Sequence, residues 1–319
     1  MALVWAWTRR EDPNRAGPKP AMTEPQLSIV IASCVGPPFI LRCLASLETQ
    51  REQGTLEFIV ADRAGGEVAA EIEQRFPWVK LLRRPADESV PDLRRNAVEQ
   101  AAAPYVAIIE EHCVAADDWI ATILRKIAEP VAAIGGVVAD DDYDRLMDWA
   151  VYFTEYNAYM PPVDPEMEAN ICGANCVYRR DLLLAHAPPS GSGYWEAELN
   201  HQLQLAGERL DVTADLVVRH TGPFRFCYYL GQRFLFSRAF AAARRHDVSP
   251  AFRVAYVLLA PLLVPLLMAR TARRVVSKRQ HAGKFLLVWP LLVPINMTYV
   301  LGEWVGFVAG AGDSLSRIE

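Results

Sequence analysis

The sequence predicts an α/β fold, a Rossmann-like and mostly parallel sheet flanked by helices, followed by apolar and amphipathic helices. Three observations carry that prediction. Short β-branched apolar runs alternate with stretches of helical apolar spacing through the first two-thirds of the chain. Three of those runs stop abruptly at polar residues, at Ser33, Asp62 and Glu110, and open α/β sheets present ligand-binding groups at strand carboxyl ends in this way. The final third changes character and becomes apolar, aromatic and basic.

Residues 27–33 form a continuous apolar run, the mark of a buried parallel strand. Phe39, Ile40, Cys43, Leu44 and Leu47 then recur at helical spacing. A second strand at 57–61 ends at Asp62 and turns through Gly65 and Gly66, leading to a helix over 68–76 and a third strand at 79–82. The pattern predicts a helix over 92–103 carrying Arg94, Arg95 and Asn96. The strand at 105–109 follows Pro104, delivers Glu110, Glu111 and His112 at its end, and leads to a helix from Trp119. Residues 133–138 make another strand, and Asp140, Asp141, Asp142 and Asp144 a solvated acidic loop. A loop at 171–180 with Gly173 and Asn175, a helix ending at Gly207 and a strand at 216–220 ending in His220 complete the domain.

Length and composition bound the function. A chain of 319 residues, 52% hydrophobic and 22% charged, holds one large core and an appendage and is neither disordered nor fibrous. A net charge of -5 argues against nucleic acid as a partner. Six cysteines without paired CxxC spacing read as reduced thiols in a cytosolic setting. Residues 1–25 are expected to be a loose leader, because Arg9 and Arg10 follow a very short apolar run, the reverse of a signal peptide.

Ser33, Asp62 and Glu110 to His112 therefore fall on one rim. Carboxylate oxygens and an imidazole nitrogen suit Mn²⁺ or Mg²⁺, although a polar strand end dissolving into a loop accounts for the triplet equally well. A carboxylate at Asp62 can accept from a nucleobase imide or ribose hydroxyls, or it can simply cap its own turn. Ser33 alone is better explained structurally.

The 27–47 unit, Glu57-Phe-Ile-Val-Ala-Asp62, Arg95-Asn96, and Tyr105-Val-Ala-Ile-Ile-Glu-Glu-His-Cys113 with Trp119 resemble the nucleotide-sugar-binding half of family 2 inverting glycosyltransferases of the GT-A fold, over residues 27–220. The resemblance implies donor contacts at Ser33, Asp62, Arg95, Glu110, Glu111, Gly173 and Asn175. It implies metal ligands at Glu111, His112 and His220, with Mn²⁺ or Mg²⁺ and a nucleotide-sugar as co-substrate. Residues 193–199 resemble the family's acceptor-site motif, which makes Glu196 the candidate base and Glu198 the fallback; an inverting transfer needs one carboxylate to take the acceptor's proton. Helix-start carboxylates placed for the dipole alone would look the same. Two departures stand out: the family's Asp-rich triplet is Glu110-Glu111-His112, and Trp195 replaces the acid before Glu196.

From Phe224 to Arg245, aromatics interleave with arginines, which suits a membrane headgroup boundary or a helix packed on the catalytic domain. Apolar stretches at 254–269 and 285–311 follow, separated by a basic connector. The first is shorter than the ~20 residues of a straight span, and Pro261, Pro265, Pro290 and Pro294 interrupt them. Kinked, re-entrant or in-plane helices are expected on the cytoplasmic face of a membrane, since the donor site must face the cytosol. The Gln-x-x-Arg-Trp motif of processive synthases is missing, which favours transfer of one sugar to a lipid-linked or amphipathic acceptor. The expected organisation is a leader (1–25), a catalytic domain (26–222) and membrane-associating helices (223–319). A catalytically inactive GT-A scaffold is the alternative. A nucleotidyltransferase ranks last, because Cys34-Val-Gly-Pro-Pro38 has one glycine and no cation.

Overall fold

The computed structural model describes residues 24–162, 171–186, 196–246 and 248–319. Nearly all of the expected leader, and Trp195, lie outside the described residues. An eight-stranded sheet is built from β1 (Leu27–Ser33), β2 (Leu56–Asp62), β3 (Lys80–Arg83), β4 (Tyr105–Ile109), β5 (Cys113–Ala115), β6 (Ala133–Ala139), β7 (Asn175–Arg179) and β8 (Leu210–His220). The order across the sheet is β3-β2-β1-β4-β7-β6-β8-β5. β3, β2, β1 and β4 run parallel, as do β6 and β8. β7 is antiparallel to both of its neighbours, and β5 is antiparallel to β8.

Every residue of β1 is buried, as a strand covered on both faces requires. Alternate side chains separate into two layers. Leu27, Ile29 and Ile31 pack with Ile40, Leu44 and Leu47 of α1 (Phe39–Glu48) and with Trp119 and Ile123 of α4 (Trp119–Lys126). On the other face, Val30 joins Leu93 and Ala97 of α3 (Val90–Glu99) and Leu199 and Leu203 of α7 (Glu196–Leu205). α3 starts earlier than its apolar spacing suggests because Ser89 caps it, accepting from the Asp92 N–H at 3.2 Å, with Pro91 in the first turn.

Strand register gathers the polar ends. Ser33 lies opposite Asp62, Ile109 opposite Asn175, and Cys113 opposite His220. Because β7 is reversed, its beginning shares the rim with the ends of β1, β2 and β4. The 171–180 segment is therefore not all loop: from Asn175 onward it is a central strand.

The C-terminal helices also differ from expectation. α8 (Phe226–Ala243) packs along α10 (Ala282–Ala309) and places Tyr229 in the main core, so it is packed onto the α/β body. α9 (Pro250–Ser277) and α10 each run 28 residues through their prolines, about 42 Å at 1.5 Å per residue. The apolar run measured on the sequence understates α9, because the helix extends into the polar residues at both ends. The two helices pack together as a hairpin. Phe285, Val288, Leu292 and Ile295 of α10 enter the core beside Phe153 of α5 (Leu146–Glu155), with the Phe153 and Phe285 rings 5.4 Å apart. Lys278 ties the hairpin down by donating to the Met160 and Pro162 carbonyls at 2.6 and 2.7 Å. The other side is bare: Val254, Leu258, Leu262 and Leu266 of α9 and Leu286 and Leu287 of α10 are exposed.

Candidate active site

A cavity of about 290 Å³ opens at the carboxyl rim, lined by Arg94, Glu110, Glu111, His112, Gly173, Glu196 and His220 among others. Its centre is a cation that the sequence reading passed over. Arg94, buried, donates from Nη2 to Glu110 Oε1 at 2.9 Å and from Nη1 to Glu196 Oε1. Arg95, the residue expected here, pairs with Glu99 at 3.0 Å on the outer face of α3. The signal was present in the helical spacing. Arg94 shares a face with Pro91, Ala97 and Val98, all buried, whereas Arg95 lies one position, about 100°, around the helix.

The two glutamates of the triplet do different work. Glu110 faces the cavity and also accepts from the Tyr156 hydroxyl at 3.0 Å. Glu111 turns back toward the loop after β1, where its carboxylate accepts from the backbone N–H groups of Cys34, Val35 and Gly36 at 2.8, 2.9 and 3.3 Å. Burial pushes its carboxyl up to about 7, against the pull of those three donors.

His112 and His220 belong to an aromatic column. The His112 ring is 4.2 Å from Phe39 and 5.4 Å from Phe224, and His220 stacks on Phe224 at 5.4 Å. Burial lowers His112 to about 4 and His220 well below its ordinary value. Tyr143 donates to the His220 carbonyl at 2.7 Å and lies 3.0 Å from Nδ1. With its one proton committed, that hydroxyl accepts from Nδ1–H, which leaves the lone pair of His220 on Nε2.

Glu196 opens α7 beside Gly173. A Cβ at position 173 would overlap the Glu196 carboxylate, so glycine there makes room for it. Glu198, the fallback, is exposed and accepts from Gln202 at 2.7 Å, and it does not line the cavity. Asp62 caps its own turn, accepting from the Ala64 and Gly65 N–H groups at 3.4 Å. Ser33 is wholly buried, with its hydroxyl unpartnered among the described residues. Asn175 is wholly buried too. It accepts from Trp119 Nε1 and donates to the Val137 and Leu216 carbonyls, each at 2.9 Å, so both amide hydrogens are spent on the sheet and burial closes the side chain off from the cleft.

The expected metal ligands do not form a cation site in this arrangement. Among the described residues, no group of three or more His, Cys, Asp or Glu side chains is placed to hold a metal ion. The physical reasons are local: Glu111 spends both oxygens on backbone donors, and Glu110 is paired with Arg94.

Residues 28–186 match the family model described as glycosyl transferase family 2. No curated protein sequence matches the chain. Among solved structures, the chain is similar to the mannosyltransferase PcManGT from Pyrobaculum calidifontis in complex with GDP-Man and Mn²⁺. That likeness has a TM-score of 0.56 at 17% identity and covers 94% of this chain and 91% of that one. It is also similar to S. aureus TarS 1-349 in complex with UDP-GlcNAc, with a TM-score of 0.50 at 13% identity, covering 89% of this chain and 91% of that one. At these identities the likeness shows a shared fold.

Two measurements test this geometry. Asn175→Ala leaves Trp119 Nε1 and two buried carbonyls unpaired, so chemical denaturation should show a loss of about 3 kcal/mol or more. Unchanged stability would return Asn175 to the list of ligand contacts. For Glu111, the folded protein holds the proton more tightly than the unfolded chain does. Its contribution to stability is therefore full below pH 4.5 and lost as pH rises through about 7. That rise corresponds to about 3 kcal/mol. Glu111→Gln should flatten the stability profile across this window, and an unaltered slope would contradict the assignment.

Proposed function

The chain carries a glycosyl transferase family 2 domain over residues 28–186 in a fold shared with GT-A glycosyltransferases, and on that premise we propose that it moves a single sugar from a nucleotide-sugar, UDP-linked, to a lipid-linked or amphipathic acceptor with inversion. The observation that carries this reading is the placement of Glu196. Its carboxylate enters the cavity over Gly173 and is held there by Arg94, which also grips Glu110. In the reaction, Glu196 takes the acceptor hydroxyl's proton while that oxygen attacks the anomeric carbon. The bond from that carbon to the diphosphate breaks, and its electron pair leaves on the diphosphate oxygen. Arg94 positions the base and places a cation in the cavity, where it can stabilise the developing charge. The divalent ion expected from the sequence has no ligand set among the described residues, so no step is assigned to it.

Solved neighbours bound to GDP-Man and to UDP-GlcNAc support a nucleotide-sugar donor; the choice of uridine rests on the resemblance at Asp62. The bare side of the α9–α10 hairpin supports a membrane surface as partner. Both helices are long and apolar enough to cross a bilayer, but α10 is packed lengthwise on α8 and α5. A helix sheathed in this way on one side fits a face resting in the interface on the cytoplasmic side better than a free span. The alternative of an inactive scaffold draws on the inward turn of Glu111 and the lack of a metal ligand set among the described residues.

A panel of nucleotide-sugars, incubated with the protein and membrane extract and assayed for free nucleotide diphosphate, separates these readings. Release from one sugar nucleotide is expected. Glu196→Gln should lower it by on the order of a hundredfold or more while nucleotide binding is kept. Gly173→Ala should act in the same direction by displacing the carboxylate. A full rate in Glu196→Gln sinks the base assignment, and nucleotide binding without release from any donor favours the scaffold.

A further inference from the structure

The chain does not end at the hairpin. After α10, Gly310 and Gly312 adopt φ values of 81° and 55°, left-handed conformations that favour glycine. The turn they make is braced by Arg238 of α8, which donates from Nε to the Gly310 carbonyl at 2.9 Å. It sends the chain back across the catalytic body. Ser314 is wholly buried, a short 3₁₀ turn covers Leu315–Arg317, and Ile318 and Glu319 then line the cavity.

This segment is fastened on both sides of the cavity. Arg63, buried and next after Asp62 at the end of β2, donates to the Ser316 carbonyl at 3.1 Å, to the Ile318 carbonyl, and to the Glu88 carbonyl at 2.5 Å. Opposite, on α8, the Tyr228 hydroxyl donates to Glu319 Oε2 at 2.7 Å, and Gln232 accepts from the Glu319 N–H at 2.9 Å. With the segment seated, about 290 Å³ remains, at the floor of the roughly 300–1,000 Å³ that small-molecule sites provide. A nucleotide diphosphate bearing a sugar needs more room, and the Glu319 carboxylate adds like charge to a cavity already rich in glutamates. Among the described residues, however, the hydrogen bonds of the Arg63 guanidinium go to neutral carbonyls. Hydrogen bonds from a guanidinium to phosphate are charge-assisted and stronger, so an incoming diphosphate can take Arg63 from the segment.

We propose that residues 314–319 form an autoinhibitory strap, latched by Arg63, that occupies the nucleotide end of the cleft and must leave for a nucleoside diphosphate to bind. The proposal rests on the glycosyltransferase reading above. The strap's occupancy lowers apparent affinity by the fraction of molecules in which it is closed.

The test compares the full chain with a variant ending at Asp313 and with the Ile318→Gly/Glu319→Ala double variant, which leaves the chain length and Ser314 intact. UDP and GDP serve as titration probes, and amide hydrogen exchange is followed with and without them. The expected result is slow exchange at Arg317 and Glu319 in the free protein, lost on adding nucleotide, and nucleotide affinity raised on the order of tenfold in both variants. Unprotected amides in the free protein, or variants that bind nucleotide with equal or weaker affinity than the full chain, overturn the strap while leaving the glycosyltransferase reading standing. Failure of UDP and GDP to bind any of the three proteins overturns the strap and counts against that reading as well.

Discussion

One buried guanidinium organises the cleft. Arg94 reaches from α3 to the carboxylates of Glu110, at the end of β4, and Glu196, at the start of α7. It therefore joins, at the rim, three elements that the hydrophobic layer beneath already packs together. Removing one partner of such a set leaves an uncompensated buried charge, which typically costs about 3–5 kcal/mol. That cost keeps the Glu196 carboxylate facing the cavity although it sits at the start of a helix. The inward turn of Glu111 is the complementary device. By gathering the N–H groups of Cys34, Val35 and Gly36, it fixes the loop after β1 and therefore one wall of the same cleft.

The C-terminal third is continuous with this site in a physical sense. α8 presents Tyr229 and Arg233 to the cavity on one side and packs against α10 on the other. Arg233 pairs with Glu155 of α5 at 2.8 Å, and Tyr229 donates to the same carboxylate at 2.6 Å. The helix pair that exposes leucines outward is thus joined to the cavity through α8.

Much of the fold could be read from residues, because buried parallel strands announce themselves as β-branched runs and the rim residues terminate them. β1, β2 and β4 fell where the runs of apolar residues place them, and the convergence of Glu110, His112 and His220 followed. Side-chain direction was harder. Arg94 and Arg95 are adjacent, and only the burial of Pro91 and Val98 decides which enters the cleft. Asn175 has the chemistry of a sugar contact, but the reversed β7, invisible to periodicity, buries it beneath Trp119. In this structure Asp62 caps the turn that leads into Gly65-Gly66, as that neighbourhood allows. Long-range pairing was not legible at all: nothing in the residues at 314–319 announces contact with Arg63, some 250 positions away.

The central claim is that a nucleotide-sugar occupies the rim between β1, β2 and α8, with its sugar end toward Arg94 and Glu196. Photolabelling with an azido-uridine diphosphate probe, followed by peptide mapping, addresses it directly. The account predicts label on peptides containing Cys34, Asp62 and Arg63 or Tyr228, suppressed by excess UDP. Label confined to surfaces away from that rim, or insensitive to UDP, would contradict it.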